Sequence, residues 1–325
     1  MNEILRQIGE IGIVPVIAIS DVEKAVPLAR SLAEGGIPCA EVTFRTAEGE
    51  ESIRRIAKEC PDVLLGAGTV LSTEQVDRAI SAGARFIVSP GLNSKVVAHC
   101  ADKGITITPG CSNPSDVDKA IEMGLDIVKF FPAEQAGGLD YIKAIAAPYK
   151  SVKFMPTGGI NAGNLAKYLM YEKILACGGS WMVKADLINA SRFDEITHLC
   201  EEAMNIAMGF EFKHMGFNAA NANEAKNAAQ MFETLFHIPV KAGNSSIFAT
   251  NDIEIMKSPG YGKKGHICFS TNSIERAVAY FERRGIKFDK DSARFDTKGK
   301  YISVFFAEEI CGFAVHLAGK EPNIK

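Results

Sequence analysis

The sequence predicts an α/β protein. Its first part reads as a (β/α)8 TIM barrel, and its second as a smaller α+β domain of two tandem βαβββ units. Three observations carry this. Eight short apolar, β-branched runs alternate with amphipathic helical segments between residue 12 and about residue 180. That alternation stops near residue 209. Beyond it, one order of elements occurs twice. The expected domains are 1–208 and 209–325.

The eight runs are GIVPVIAI (12–19), CAEVTFR (39–45), VLLGAGT (63–69), FIVSPG (86–91), ITITPGC (105–111), DIVKFF (126–131), VKFMPTGG (152–159) and ILACGGSWM (174–182). Each ends in small or polar residues, as a strand entering a loop does. Segments such as DVEKAVPLARSLAEGG, STEQVDRAISAGA and SNPSDVDKAIEMG lie between them. They show a 3.6-residue apolar stripe, and several open on an Asp, Ser or Asn cap. Strands alternating with helices imply a parallel sheet, and eight is the number that closes a barrel. An open doubly wound sheet is the other topology, but no GxGxxG follows the first strand.

After RFDEITHLCEEAMNIAMG the pattern changes to an alternating strand, FEFKHMGF, then a helix, NEAKNAAQMFETLF. Short strands follow at IPVKA, SSIFA and DIEIM. The order then repeats as KGHICFS, IERAVAYFERRG, IKFDK, YISVFFA and FAVHLAG.

Composition narrows the function classes. The 325 residues are 47% hydrophobic and 23% charged, as in ordinary globular proteins, and the net charge of −3 points to neither nucleic acid nor an anionic membrane as partner. The opening MNEILRQIGEIG is a charged amphipathic helix without the features of a signal peptide. No apolar run is long enough to span a bilayer. The eight cysteines form no CxxC pair and suggest neither a zinc knuckle nor a disulfide framework. Reduced, mostly buried thiols in a cytoplasmic protein are expected.

In a βα barrel, catalytic groups lie at the C-terminal strand ends. Strand two carries Glu41, Thr43 and Arg45, which alternation places on one inward face. Strand three ends at Thr69, strand four at Ser89-Pro90-Gly91. Two lysines interrupt apolar strands. Lys153 opens its strand, about 13 Å from the TGG at its tip, and reads as a structural lysine at the closed end. Lys129 comes just before Phe131-Pro132 and should lie near the open mouth. Either it forms a buried ion pair, with Glu41 as the available partner, or its apolar walls favour the neutral amine, which attacks a ketone to form an imine. Glu41 would then move protons, while Arg45 would clamp a carboxylate with help from Thr69.

Strands seven and eight end in Thr157-Gly158-Gly159 and Gly178-Gly179-Ser180. Glycine pairs at adjacent strand ends let backbone N–H groups approach an anion, and a following helix N-terminus would add positive potential. That position is a recurrent phosphate site in barrels.

The stretches EVTFRT, GAGTV, SPG, PGCSNPSD, VKFFPAE, PTGGI and GGSWMV, in this order, closely resemble the 2-keto-3-deoxy-6-phosphogluconate (KDPG) aldolases, which also act as 4-hydroxy-2-oxoglutarate (KHG) aldolases. The resemblance covers about residues 1–208. It implies a homotrimeric class I aldolase, needing no cofactor, that cleaves a phosphorylated keto-sugar acid to pyruvate and glyceraldehyde 3-phosphate. It makes Lys129 the Schiff-base lysine and Glu41 the proton shuttle. It places the pyruvate carboxylate on Arg45 and Thr69, the pocket walls at Pro90 and Phe131, and the phosphate on Gly158, Gly159 and Ser180. Thr157 matches the form that favours the gluconate epimer.

The tandem βαβββ units resemble the vicinal-oxygen-chelate fold of glyoxalase I and the bleomycin-resistance proteins. That resemblance implies a divalent metal, Zn, Ni or Fe, on His214, Glu254, His266 and His316. His316 departs from the glutamate more usual there. A metal-free binding module, a second metal-dependent activity, and a metabolite sensor on a remnant barrel are the alternatives.

Overall fold

The computed structural model describes residues 1–320, so the last five residues of the expected second domain lie outside the described residues. The chain divides into two compact units, Met1–Ala207 and a second that begins at Met208.

The first unit holds nine parallel strand segments: β1 (Ile13–Ile17), β2 (Cys39–Thr43), β3 (Leu64–Gly68), β4 (Phe86–Val88), β5 (Thr106–Thr108), β6 (Gly110–Cys111), β7 (Ile127–Phe130), β8 (Lys153–Pro156) and β9 (Cys177–Gly179). Six form one curled sheet, β5-β4-β3-β2-β1-β9, and three form another, β6-β7-β8. The architecture is α/β and barrel-like. β5 and β6 are two pieces of the fifth predicted run, split at Pro109, which has no N–H to donate. The Pro109 carbonyl accepts from the Lys129 N–H at 3.0 Å. Isolated bridges Phe154↔Ile174 and Thr157↔Gly178 link the β8 and β9 segments. β2 and β3 are buried along their whole length, as parallel strands covered on both faces must be.

Local chemistry sets the helix ends. Asn2 caps Glu3–Ile11 by accepting from the Leu5 N–H, and Gly12 closes that helix in a left-handed conformation. Ser72 caps Thr73–Ala82, and Asn113 caps Pro114–Glu122, whose proline takes the first turn. Asp21 caps a single 3-10 turn, Val22–Lys24, ahead of Ala25–Glu34.

Three sequence expectations shift. Arg45 is not on strand two: the β2–β3 pairing ends at Thr43↔Gly68, and Arg45 sits in the following turn. The eighth run is strand only at Cys177–Gly179. No helix directly follows either glycine pair: the next helices, Leu165–Leu169 and Ala185–Asn189, begin only after an intervening loop and are short. After the first pair, the Asn161 and Asn164 side-chain amides both donate to the Gly159 carbonyl, a local alternative to helix.

The second unit has one eight-stranded sheet. Its strands are β10 (Glu211–Asn218), β11 (Lys241–Ala242), β12 (Ser246–Phe248), β13 (Ile253–Met256), β14 (Gly265–Thr271), β15 (Phe288–Phe295), β16 (Tyr301–Ile310) and β17 (Phe313–Gly319). The order is β11-β12-β13-β10-β14-β17-β16-β15. Within each half the first and last strands pair in parallel (β10 with β13, β14 with β17), and the halves join antiparallel through β10 and β14. The two βαβββ halves are therefore mirror-ordered about the sheet centre. Helix Ala222–Phe236 seals the first half through Ala225, Ala229 and Phe232 against Ile247 and Ile255.

All eight cysteines are free and seven are buried. Among the described residues no helix is long and apolar enough to cross a membrane.

Candidate functional site

β7 and β2 bring Lys129 and Glu41 together. The Lys129 ammonium lies 3.5 Å from a Glu41 carboxylate oxygen. Lys129 is 6% exposed and Glu41 1%. This is ion-pair range, longer than the roughly 2.7–2.9 Å of a charge-assisted hydrogen bond, and both Glu41 oxygens are buried without a hydrogen-bond partner. Burial pushes the Glu41 carboxyl above its ordinary range, against the opposing pull of Lys129 and Arg45. The Lys129 nitrogen also lies 5.4 Å from the centroid of the Phe131 ring, which is 38% exposed at the strand's end.

Lys153 stands elsewhere. It opens β8 opposite Ile127, two residues behind the Lys129↔Met155 pair, and is only half-buried.

Thr43 organises the neighbouring turn. Its fully buried hydroxyl donates to the Ile17 carbonyl at 2.8 Å and accepts from Arg45 Nε at 3.1 Å. The exposed guanidinium of Arg45 is thus tied back to the strand through its Nε. Alternation along strand two had put Thr43 beside Glu41 and Arg45, but nothing in the sequence gave it this anchoring duty.

Gly68 was also missed. A Cβ there would lie 2.3 Å from Glu41 Oε1 and 2.6 Å from its Cγ. The carboxylate occupies the space a side chain at 68 would fill. The next residue, Thr69, has φ +57°, a left-handed conformation rare for a β-branched residue and common where binding geometry is held. Ser89, beside Pro90, donates to the Gly91 carbonyl at 2.9 Å and shapes that strand end.

At the glycine-rich ends, Gly158 and Gly159 have φ +100° and +78°, a left-handed turn that favours glycine. Thr157 lies over Gly178: a Cβ at 178 would come within 2.3 Å of Thr157 Oγ1, a buried hydroxyl with no partner. The Trp181 ring covers Gly179, and Ser180 is exposed.

The second unit gathers all four predicted metal ligands on adjacent strands β13, β10, β14 and β17. Glu254 Oε2 lies 3.3 Å from His214 Nε2 and 3.2 Å from His266 Nε2, and those two nitrogens are 3.1 Å apart. One ligand atom from each of His214, His266 and His316 falls within 4.8 Å of the others. An ion bound tetrahedrally at about 2.0–2.1 Å holds its donors about 3.3–3.4 Å apart, so Glu254, His214 and His266 are spaced to suit one, with His316 next to them at the wider spacing. Burial, then the neighbouring imidazoles, pushes His316 down to about 3, which leaves it neutral with a lone pair to give; both ring nitrogens are buried without partners. Burial likewise lowers His214. For Glu254 burial acts upward, but His266, Ser246 and His214 outweigh it and hold the carboxyl below its usual value.

The register explains the room for this cluster. One cross-strand row reads Glu254, Gly216, His266, Ala314, and the next reads His214, Cys268, His316. Ligands alternate with small residues. A Cβ on Gly216 would lie 2.1 Å from His266 Cε1.

The first unit is thus a barrel-like α/β enzyme domain with a buried amine–carboxylate pair at its strand ends. The sequence model of the family described as KDPG and KHG aldolase matches residues 3–199. The 2-dehydro-3-deoxy-phosphogluconate aldolase of Treponema pallidum is 50% identical over 206 residues, 63% of this chain and 98% of that protein. The KHG/KDPG aldolase of Escherichia coli K12 is 43% identical over 192 residues, 59% of this chain and 90% of that protein. Among solved structures, the KDPG aldolase of Legionella pneumophila, with pyruvate captured as a covalent carbinolamine, matches with TM-score 0.60 at 37% identity, covering 61% of this chain and 97% of that one. The Zymomonas mobilis aldolase with 3-phosphoglycerate matches with TM-score 0.57 at 40% identity, covering 61% and 94%. The chain belongs to the KDPG and KHG aldolase family and is a carbon–carbon lyase.

Gly68→Ala should leave the unit folded but displace the Glu41 carboxylate. A shift of this kind lowers kcat by about 100-fold, and a steady-state aldol-cleavage assay alongside circular dichroism will read both. Activity within a few-fold of wild type would mean that the carboxylate's position is not critical.

Proposed function

We propose that residues 1–208 form a closed (β/α)8 barrel acting as a class I aldolase on KDPG, and also on KHG. The observation that carries this is the buried Lys129–Glu41 pair at the strand ends. Lys129 attacks the C2 ketone as a neutral amine, and the carbinolamine loses water to give a protonated imine. The imine draws in the electrons of the C3–C4 bond as Glu41 takes the C4 hydroxyl proton. The aldehyde departs, Glu41 returns a proton to the enamine carbon, and hydrolysis frees pyruvate and Lys129. No metal enters this cycle.

Arg45, fixed through Thr43, pairs with the substrate carboxylate, assisted by Thr69. Pro90 and Phe131 wall the pocket. The phosphate sits on the turn of Gly158 and Gly159 and on Gly179 and Ser180. Here backbone N–H groups rather than a helix N-terminus supply the positive potential. Thr157, with its unpartnered hydroxyl, sets preference between C4 epimers. The matched relatives, their carbinolamine and phosphoglycerate complexes and the positions of these residues support the reading. A homotrimer in a reducing cytoplasm is the expected state of the barrel.

Residues 209–325 are proposed to be a vicinal-oxygen-chelate-like domain. His214, Glu254, His266 and His316 would hold Zn, Ni or Fe, and Ser246 would orient Glu254. Such an ion supplies Lewis acidity. The protein's part is to present three neutral imidazoles and one carboxylate from a single sheet face.

Borohydride with pyruvate should reduce a stable adduct onto Lys129, located by peptide mass spectrometry. An adduct on Lys153 or none at all would overturn the assignment.

The raised carboxyl of Glu41 stays protonated to higher pH than an ordinary glutamate, so its basic form is lost earlier on acidification. The acid limb of kcat/KM should therefore lie above about pH 4.3. Glu41→Gln should remove that limb and lower kcat by about 10²–10⁴-fold. A limb unmoved in Glu41→Gln would assign it to another group.

Protein purified without a histidine tag should hold about one equivalent of a divalent metal per chain. His214→Ala and His266→Ala should each lose it by elemental analysis, with aldolase activity unchanged. No metal under any loading condition would end the metal reading.

A further inference from the structure

The mirror-ordered halves of the second unit expose an asymmetry. The first strand of each half contributes a histidine, His214 from β10 and His266 from β14. The last strand contributes Glu254 from β13 in one half and His316 from β17 in the other. A fully repeated donor set would carry two negative charges. This one carries a single charge, so a divalent ion bound there leaves the centre at +1.

Resting on the metal reading above, we infer that the histidine at 316 makes this centre an anion site whose exogenous ligand is a small carboxylate.

A net positive charge is costly to bury, and His266 and His316 are only 7% and 8% exposed. Beyond the four ligands, the charges acting on His214 are Lys213 and Asp252, which oppose each other, and the charges acting on His316 are those of the cluster itself. Phe305 stacks on His316 at 4.5 Å and Tyr261 on Phe305 at 4.1 Å, so one wall is aromatic and uncharged. On the other side Phe248 stands edge-on to His214. Phe248 also lines a cavity of about 560 Å³ whose one charged lining residue is Lys241. The missing negative charge is therefore left to the ligand, and the neighbouring cavity offers a lysine and no carboxylate.

The test uses the full chain loaded with Co²⁺ and follows the visible absorption of the ion. Acetate should perturb the bands, and its neutral isostere acetamide should bind at least about tenfold more weakly. His316→Glu restores the second carboxylate and should weaken acetate at least about tenfold with Co²⁺ still bound, while neutral His316→Gln keeps acetate affinity within about threefold. Equal binding of acetate and acetamide, or acetate affinity unchanged in His316→Glu, overturns the inference. Should His316→Glu not fold or not hold Co²⁺, Glu254→Gln serves instead: it should tighten acetate, and unchanged or weaker binding overturns the inference. A chain that takes no Co²⁺ fails the metal reading and this inference together. A chain that takes Co²⁺ but ignores acetate fails this inference alone.

Discussion

The Lys129–Glu41 pair is the constraint around which the first unit is arranged. Two opposite charges are removed from water, yet they stand 3.5 Å apart and the carboxylate oxygens accept no hydrogen bond. A pair kept only for stability gains by closing to hydrogen-bond distance and filling its remaining lone pairs, and even then it often does no better than apolar side chains of the same volume. Here the protein bears the desolvation and leaves the acceptors open. It also gives up a side chain at position 68 to make the space. Both concessions make sense if substrate oxygens and protons complete the site during the reaction.

The same signature marks the second unit. Buried polar side chains in native proteins are nearly always partnered, so the exceptions are informative. The orphaned side-chain atoms among the described residues include both oxygens of Glu41, the hydroxyl of Thr157 and both ring nitrogens of His316. The first two belong to the proposed aldolase pocket and the third to the histidine cluster. Thr46, Ser52 and Thr108 are orphaned as well and belong to neither proposed site, so the signature points to a site only where it coincides with convergent chemistry.

Strand periodicity carried much of this into the sequence. Alternation alone expected Glu41 and Thr43 on one face, and both are buried, while distance along the strand separated Lys129 from Lys153. The order of apolar runs marked the change of architecture near residue 209. What the sequence hid was of two kinds. Turns were illegible where side chains rather than periodicity decide the backbone: Arg45 lies past its strand, and the asparagines of GGINAGN replace the expected helix start with a local hydrogen-bonded turn. Absences were illegible too. Gly68 and Gly216 matter because another residue's functional atoms occupy their side-chain space, and no one-dimensional pattern states which residue lies across a ladder. The GAG of strand three was visible, but its relation to Glu41 depends on the β2–β3 register.

On the proposed readings, charge would tie the two sites to one class of ligand by different means. In the first unit the Lys129–Glu41 pair is close to neutral, and on the proposed reading the positive potential would come from Arg45 and the backbone of the glycine turn. Such donors would suit a substrate with a carboxylate at one end and a phosphate at the other. In the second unit the positive charge would reside at the centre itself, because three of its four donors are neutral. A chain with a net charge of −3 gives no hint of either preference in its totals. The long-range field is set by the whole surface, whereas ligand choice is set by a few groups in sites from which water is largely excluded, where each charge acts at low effective dielectric. Exchanging one imidazole for one carboxylate at position 316 would therefore alter the chain's total charge by a single unit and yet change what the second unit is able to hold.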